Sequence, residues 1–296
     1  MHFFSRLVFY SAIFLGYIVF MTLYAPLGAS WMDFHADRIM NALEFLILNG
    51  WDTFGFTVWS VCSDCLLESS WSEGVTSHHA INFWPFLVMY FFGGIEYVLL
   101  FGPSFDKLII FISAVLMAEL IIKSTKNLSN LPDFFIGIGC FALFVISPWT
   151  YKMLLGGWWE AYFLMFFLAA MLLFENKKFK LGLISFFLAA TMHYLWALVL
   201  LIFYILLTIS PLFIKNETSS MDRFFPPNTI TFKTRLNVML FIGIPVFGII
   251  FSQLITSFYI DFGTNSSIFY RMGISGNDAH NGGLIGALQF LAGSRF

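Results

Sequence analysis

LVFYSAIFLGYIVFMTLY, residues 7–24, carries no charged side chain and directly follows Arg6. Coiled at about 1.5 Å per residue, such a run approaches the roughly 30 Å hydrocarbon core of a bilayer. It has no convincing small-residue cleavage site and its apolar part exceeds a typical signal-peptide core, so it predicts an uncleaved first membrane span. Further candidate spans cover residues 83–101, 108–122, 134–146, 158–174, 181–214 as two segments, and 236–260. The last apolar stretch, 282–292, is too short to cross and stands just before the chain's end, which reads as a clipped final helix. The expected fold is all-α, a polytopic transmembrane bundle over residues 1–296.

Composition agrees. The chain is 59% hydrophobic and 11% charged with a mean hydropathy of +0.83, whereas an ordinary soluble domain has about 25% charged residues. Helices surrounded by lipid can be apolar on every face, which suits forty phenylalanines. A net charge of -2 supplies no basic field, so nucleic acid is excluded as a partner and membrane lipids are expected.

Basic residues gather at Arg6, at Lys123 and Lys126, at Lys177, Lys178 and Lys180, and between Lys215 and Arg235. The positive-inside rule places these groups and the N-terminus in the cytoplasm. An even number of crossings must then separate neighbouring groups, yet three candidate spans lie between Arg6 and Lys123. The segment 83–101, interrupted by Pro85 and Gly93-Gly94 and carrying Glu96, is the best suspect for a re-entrant or interfacial piece. The alternative is that Lys123 and Lys126 lie outside.

A loop spanning residues 25–82 follows the first span and holds Asp33, Asp37, Glu44, Asp52, Asp64, Glu68 and Glu73 against Arg38 alone. Within it, residues 33–50 read as an interfacial amphipathic helix: Ile39, Leu43, Leu46 and Ile47 follow helical spacing, and Gly50 closes it. Asp33 and Asp37, four apart, share a face. They suit a divalent cation, or one acts as a general base while Arg38 holds a phosphate; equally they are an ordinary acidic helix start. Cys62 and Cys65 form a CxxC without a second pair, which reads as a local disulfide or idle thiols, and Cys140 as packing. His78-His79 with His35 reads as loop surface, because adjacent histidines rarely point at one ion.

The first span, the Asp-bearing helix with Ala42, Leu43 and Gly50, the Pro85 entry after His78-His79, and the turn Ser147-Pro148-Trp149 to Trp158-Trp159-Glu160 together resemble the GT-C type membrane glycosyltransferases. The resemblance implies transfer of a sugar from a polyprenyl-phosphate donor to an acceptor hydroxyl on the extracytoplasmic face, in a bacterial inner membrane or an endoplasmic-reticulum membrane. It implies Asp37 as catalytic base, with Asp33 the second choice. Glu160 and Asp33 would hold Mg or Mn; Arg38, Lys152 and Arg271 would meet phosphate, and Trp158, Trp159 and Tyr162 would stack on sugar. The polar loop 261–282 would face the same side. Two other classes stay open: an acyltransferase using His193 as base, and a transporter or assembly subunit with Glu96 and Glu119 along its path.

Overall fold

A computed structural model describes residues 3–24, 56–62, 71–79, 82, 84–125, 132–150, 159–213 and 232–259. Helices dominate: α1 (Phe3–Tyr24), α2 (Trp84–Thr125), α3 (Asp133–Ile146), α4 (Trp159–Glu175), α5 (Phe179–Met192), α6 (Tyr194–Phe213) and α7 (Phe232–Tyr259). An antiparallel hairpin, β1 (Phe56–Cys62) and β2 (Trp71–His79), is added inside the acidic loop, with Val58 opposite Val75 and Cys62 opposite Trp71. Thr57, Val58, Trp59 and Val61 are strand-favouring residues, a signal hidden by the loop's acidity.

The chain divides into two units. One comprises Met1–Ala36 and Met89–Val246, the other Asp37–Val88 and Phe247–Phe296. The first holds α1, most of α2, α3 to α6 and the start of α7, and it contains the side chains discussed below.

In α2 the candidate spans 83–101 and 108–122 join into one element, continuous through Gly102-Pro103 and broken only at Gly93-Gly94. Gly94 has φ 72°, the left-handed region that a Cβ disfavours, so the break needs its glycine. Residues 95–125 then form a single helix of about 46 Å.

α1 buries one narrow seam, whereas α4 has buried side chains around its circumference, Tyr162, Ala170, Met171 and Phe174 among them. Tyr10 and Phe14 are the buried face of α1. The Tyr10 ring stacks on Phe141 of α3 at 4.9 Å, and Phe14 meets Phe111 of α2 at 5.1 Å. Gly137 permits the approach: a Cβ there would lie 2.2 Å from the Tyr10 hydroxyl and 2.7 Å from Ile122 Cδ1. Away from the seams the surface is apolar, with Phe91 83%, Leu143 74% and Leu23 71% exposed. A solvated monomer rarely leaves apolar surface so widely distributed. Among the described residues two helices are long and apolar enough to cross a membrane, Phe3–Phe20 in α1 and Lys233–Ser252 in α7.

The α4–α5 hairpin turns through Lys177, whose φ of 60° makes it the left-handed residue of a Schellman cap. Its N–H donates to the Phe174 carbonyl at 2.9 Å and that of Lys178 to Leu173 at 2.8 Å, satisfying carbonyls at the helix end. Beneath the turn Phe174 is buried between Phe179 and Phe186, each with its ring 5.6 Å away. A Cβ on Gly182 would stand 2.4 Å from the Phe174 ring. Gly182→Val is therefore expected to destabilise by about 1–3 kcal/mol through overpacking. Thermal unfolding in lipid nanodiscs reads it, and an unchanged midpoint would show that the ring moves aside freely.

Candidate functional site

A polar pair joins the start of α4 to the α5–α6 junction, beside a capped turn after α3. Ser147 ends α3 and caps the next turn: the Thr150 N–H donates to Ser147 Oγ at 3.1 Å, and the Thr150 hydroxyl bonds the Phe144 carbonyl. This holds Trp149 edge-on to Phe144, with ring centres 6.4 Å apart. At the other side, the helical run 179–213 breaks at His193, whose backbone is extended (φ −149°, ψ 92°). The Trp196 N–H points at His193 Nδ1, 3.4 Å away, so the imidazole is a side-chain N-cap for α6.

His193 Nε2 then lies 3.4 Å from Glu160 Oε1, with both side chains largely buried. An Nδ1 that accepts from Trp196 leaves the neutral ring's proton on Nε2, directed at the carboxylate. Both ring nitrogens are thus engaged. Between α4 and α6 an apolar cleft of about 410 Å³ opens beside this pair, walled by Trp149, Phe163, Phe167, Trp196 and Phe203. That is the size range of small-molecule sites.

A second polar contact lies close by in the chain: the buried Tyr162 hydroxyl donates to Asp106 of α2, itself only 2% exposed. Farther along α2, Glu119 pairs with Arg6 of α1, Nε to Oε1 at 2.9 Å and Nη2 to Oε2 at 3.2 Å. Glu96 and Glu119 are separated by about 34 Å of helix, and the Arg6 bond gives Glu119 a structural role that a transport path does not require.

Of the residues expected from the sequence, Glu160 is placed, and its neighbour is His193, which the sequence suggested only for a competing chemistry. Asp33, Asp37, Arg38, Lys152, Trp158 and Arg271 lie outside the described residues, as do Cys65, the helix proposed for 33–50 and the loop 261–282. Trp159 opens α4, with its side chain likewise outside the description. Among the described residues no three of His, Cys, Asp and Glu gather as a metal group. Tyr162, expected with Trp158 and Trp159 to stack on a sugar, is instead 1% exposed and bonded to Asp106, so its ring is closed to a sugar. Asp106 escaped sequence reasoning, and its signal was the charged Asp106-Lys107 interruption between two apolar runs.

No protein-family model, curated protein or solved structure matches this chain. Its own side chains therefore carry the functional reading.

Proposed function

We propose that the chain is a multi-pass membrane glycosyltransferase of GT-C type that moves a sugar from a polyprenyl phosphate to an acceptor hydroxyl. The observation that carries this reading is a carboxylate, Glu160, at the edge of an apolar cleft rimmed by Trp149 and Trp196. Such a juxtaposition suits a prenyl chain whose charged head must stop beside polar groups. Widely exposed apolar surface supports insertion in lipid.

Span counting supports the topology. In this topology α1 and, after the glycine break, residues 95–125 of α2 are the two crossings proposed between Arg6 and Lys123, an even number. Lys123 donates to Asn176, beside Lys177 and Lys178, as a shared cytoplasmic face requires. In this topology Glu160 and His193 stand on the extracytoplasmic side.

In the proposed reaction Asp37 takes the acceptor's hydroxyl proton as the oxygen bonds to the anomeric carbon. The anomeric carbon–oxygen bond breaks, and its electron pair leaves on the lipid phosphate. Glu160 contributes a hard oxygen ligand that fits Mg or Mn, with Asp33 the second carboxylate. A bound cation supplies positive charge to the departing phosphate. Arg38, Lys152 and Arg271 are the protein cations proposed for it, and Trp158 and Trp159 the sugar platform.

The acyltransferase alternative has one specific observation for it, the carboxylate behind the imidazole. It has a stronger one against it, because the Nδ1 lone pair caps α6 and the Nε2 proton faces Glu160. The test is transfer of labelled sugar by purified protein in proteoliposomes supplied with polyprenyl-phosphate sugars. Donor-dependent labelling of a hydroxyl acceptor is expected. Turnover of acyl donors with none of sugar donors would replace this reading by the His193 chemistry.

A further inference from the structure

Between α1 and α2 a second cleft, of about 390 Å³, is amphipathic along its length. The contacts Arg6–Glu119 and Phe14–Phe111 advance equally along the two helices in opposite senses, so α1 and α2 run antiparallel here. Lys107 and Ser104 therefore stand at one end of the cleft, level with Ile18 and beyond. Phe14, Leu15 and Phe111 line the part nearer Glu119, which ends at Ser11.

Lys107 is turned into the cleft by its neighbour. Asp106 faces inward to Tyr162, and the next residue of a helix points about 100° away. Among the described residues no hydrogen bond or ion pair engages the Lys107 ammonium. On the topology proposed above Lys123 marks one bilayer boundary, and Lys107 lies about 24 Å from it along α2. A hydrocarbon core of about 30 Å leaves roughly 6 Å, which a lysine stem spans by snorkelling.

We propose that this cleft is a binding site for one anionic phospholipid, whose phosphate pairs with Lys107 beside the Ser104 hydroxyl and whose acyl chain lies along Phe14, Leu15 and Phe111. A phosphate on a hydrocarbon tail matches the order of charge, hydroxyl and apolar wall. The inference rests on membrane insertion, but not on sugar transfer.

The probe is phosphatidylglycerol, mixed as the minor lipid in phosphatidylcholine nanodiscs carrying the full chain, with retained lipid counted by native mass spectrometry. One retained phosphatidylglycerol per chain is expected. Lys107→Gln should weaken retention about fivefold to tenfold, Lys107→Arg should restore it, and Lys123→Gln at the other boundary should leave it unchanged. Leu15→Trp, which fills the cleft with Lys107 intact, should also lose the lipid, and it decides the matter if Lys107→Gln does not fold. Equal retention in wild type, Lys107→Gln and Leu15→Trp overturns the site. Displacement by inorganic phosphate as readily as by competing phosphatidylglycerol overturns the lipid as occupant. Release of the wild-type chain from vesicles by alkaline carbonate would instead overturn membrane insertion itself, a failure distinguishable from loss at Lys107.

Discussion

Glu119→Leu with Arg6 retained is expected to lower stability by about 3–5 kcal/mol, because it leaves a guanidinium buried without its carboxylate. The pair has the geometry that makes one-sided removal costly. Nη2 donates to Oε2 at 3.2 Å, Nε lies 2.9 Å from Oε1 as an ion-pair contact out of hydrogen-bond alignment, and the side chains are 13% and 6% exposed. Packing prevents relief by movement, since Tyr10, one turn beyond Arg6, is locked on Phe141 and against Gly137. Removing both charges as Arg6→Met/Glu119→Leu should restore stability to near wild type, because two desolvated charges and their attraction nearly cancel. Unfolding in nanodiscs reads the cycle. A single substitution costing under about 1 kcal/mol would mean that water reaches the pair and screens it.

In the sugar-transfer assay Asp37→Asn should reduce turnover by about 10²–10⁴, the range of a positioned general base. Glu160→Gln should reduce it by about 10²–10³, because an amide does not hold a cation as a carboxylate does, and the departing phosphate would lose that cation's positive charge. His193→Asn provides the internal comparison. Asparagine is an excellent N-cap, so α6 keeps its start and the loss should stay within about tenfold. His193→Ala removes the cap as well, at a cost of about 1 kcal/mol in stability. The opposite order, with His193→Asn inactive and Asp37→Asn active, would assign the chemistry to the imidazole and end the glycosyltransferase proposal.

Much of the helical architecture was legible because it is local. A run such as residues 7–24 has one way to satisfy its backbone in an apolar medium, and α1, α3, α4, α6 and α7 begin and end within a few residues of the apolar limits. Gly93-Gly94 was correctly suspect, since two adjacent glycines permit the left-handed backbone found at Gly94. Continuity across Gly102-Pro103 was not legible, because a proline is as compatible with a loop as with a helix whose other bonds survive. The hairpin was masked by acidic residues scattered through strand-favouring ones.

The site was legible only as ingredients. Glu160 and His193 each stood out as ionisable residues among apolar neighbours, and they were assigned to rival chemistries because no local rule connects positions so far apart in sequence. The sequence by itself determined an apolar, helix-dominated chain and the places where its helices falter, both of them consequences of nearest-neighbour sterics and transfer free energy. The tertiary structure alone decided that Arg6 meets Glu119, that Tyr162 meets Asp106, and that His193 spends its two nitrogens on α6 and Glu160. These partners are chosen by which helix seams pack together, and packing is a property of whole surfaces that a linear pattern does not encode.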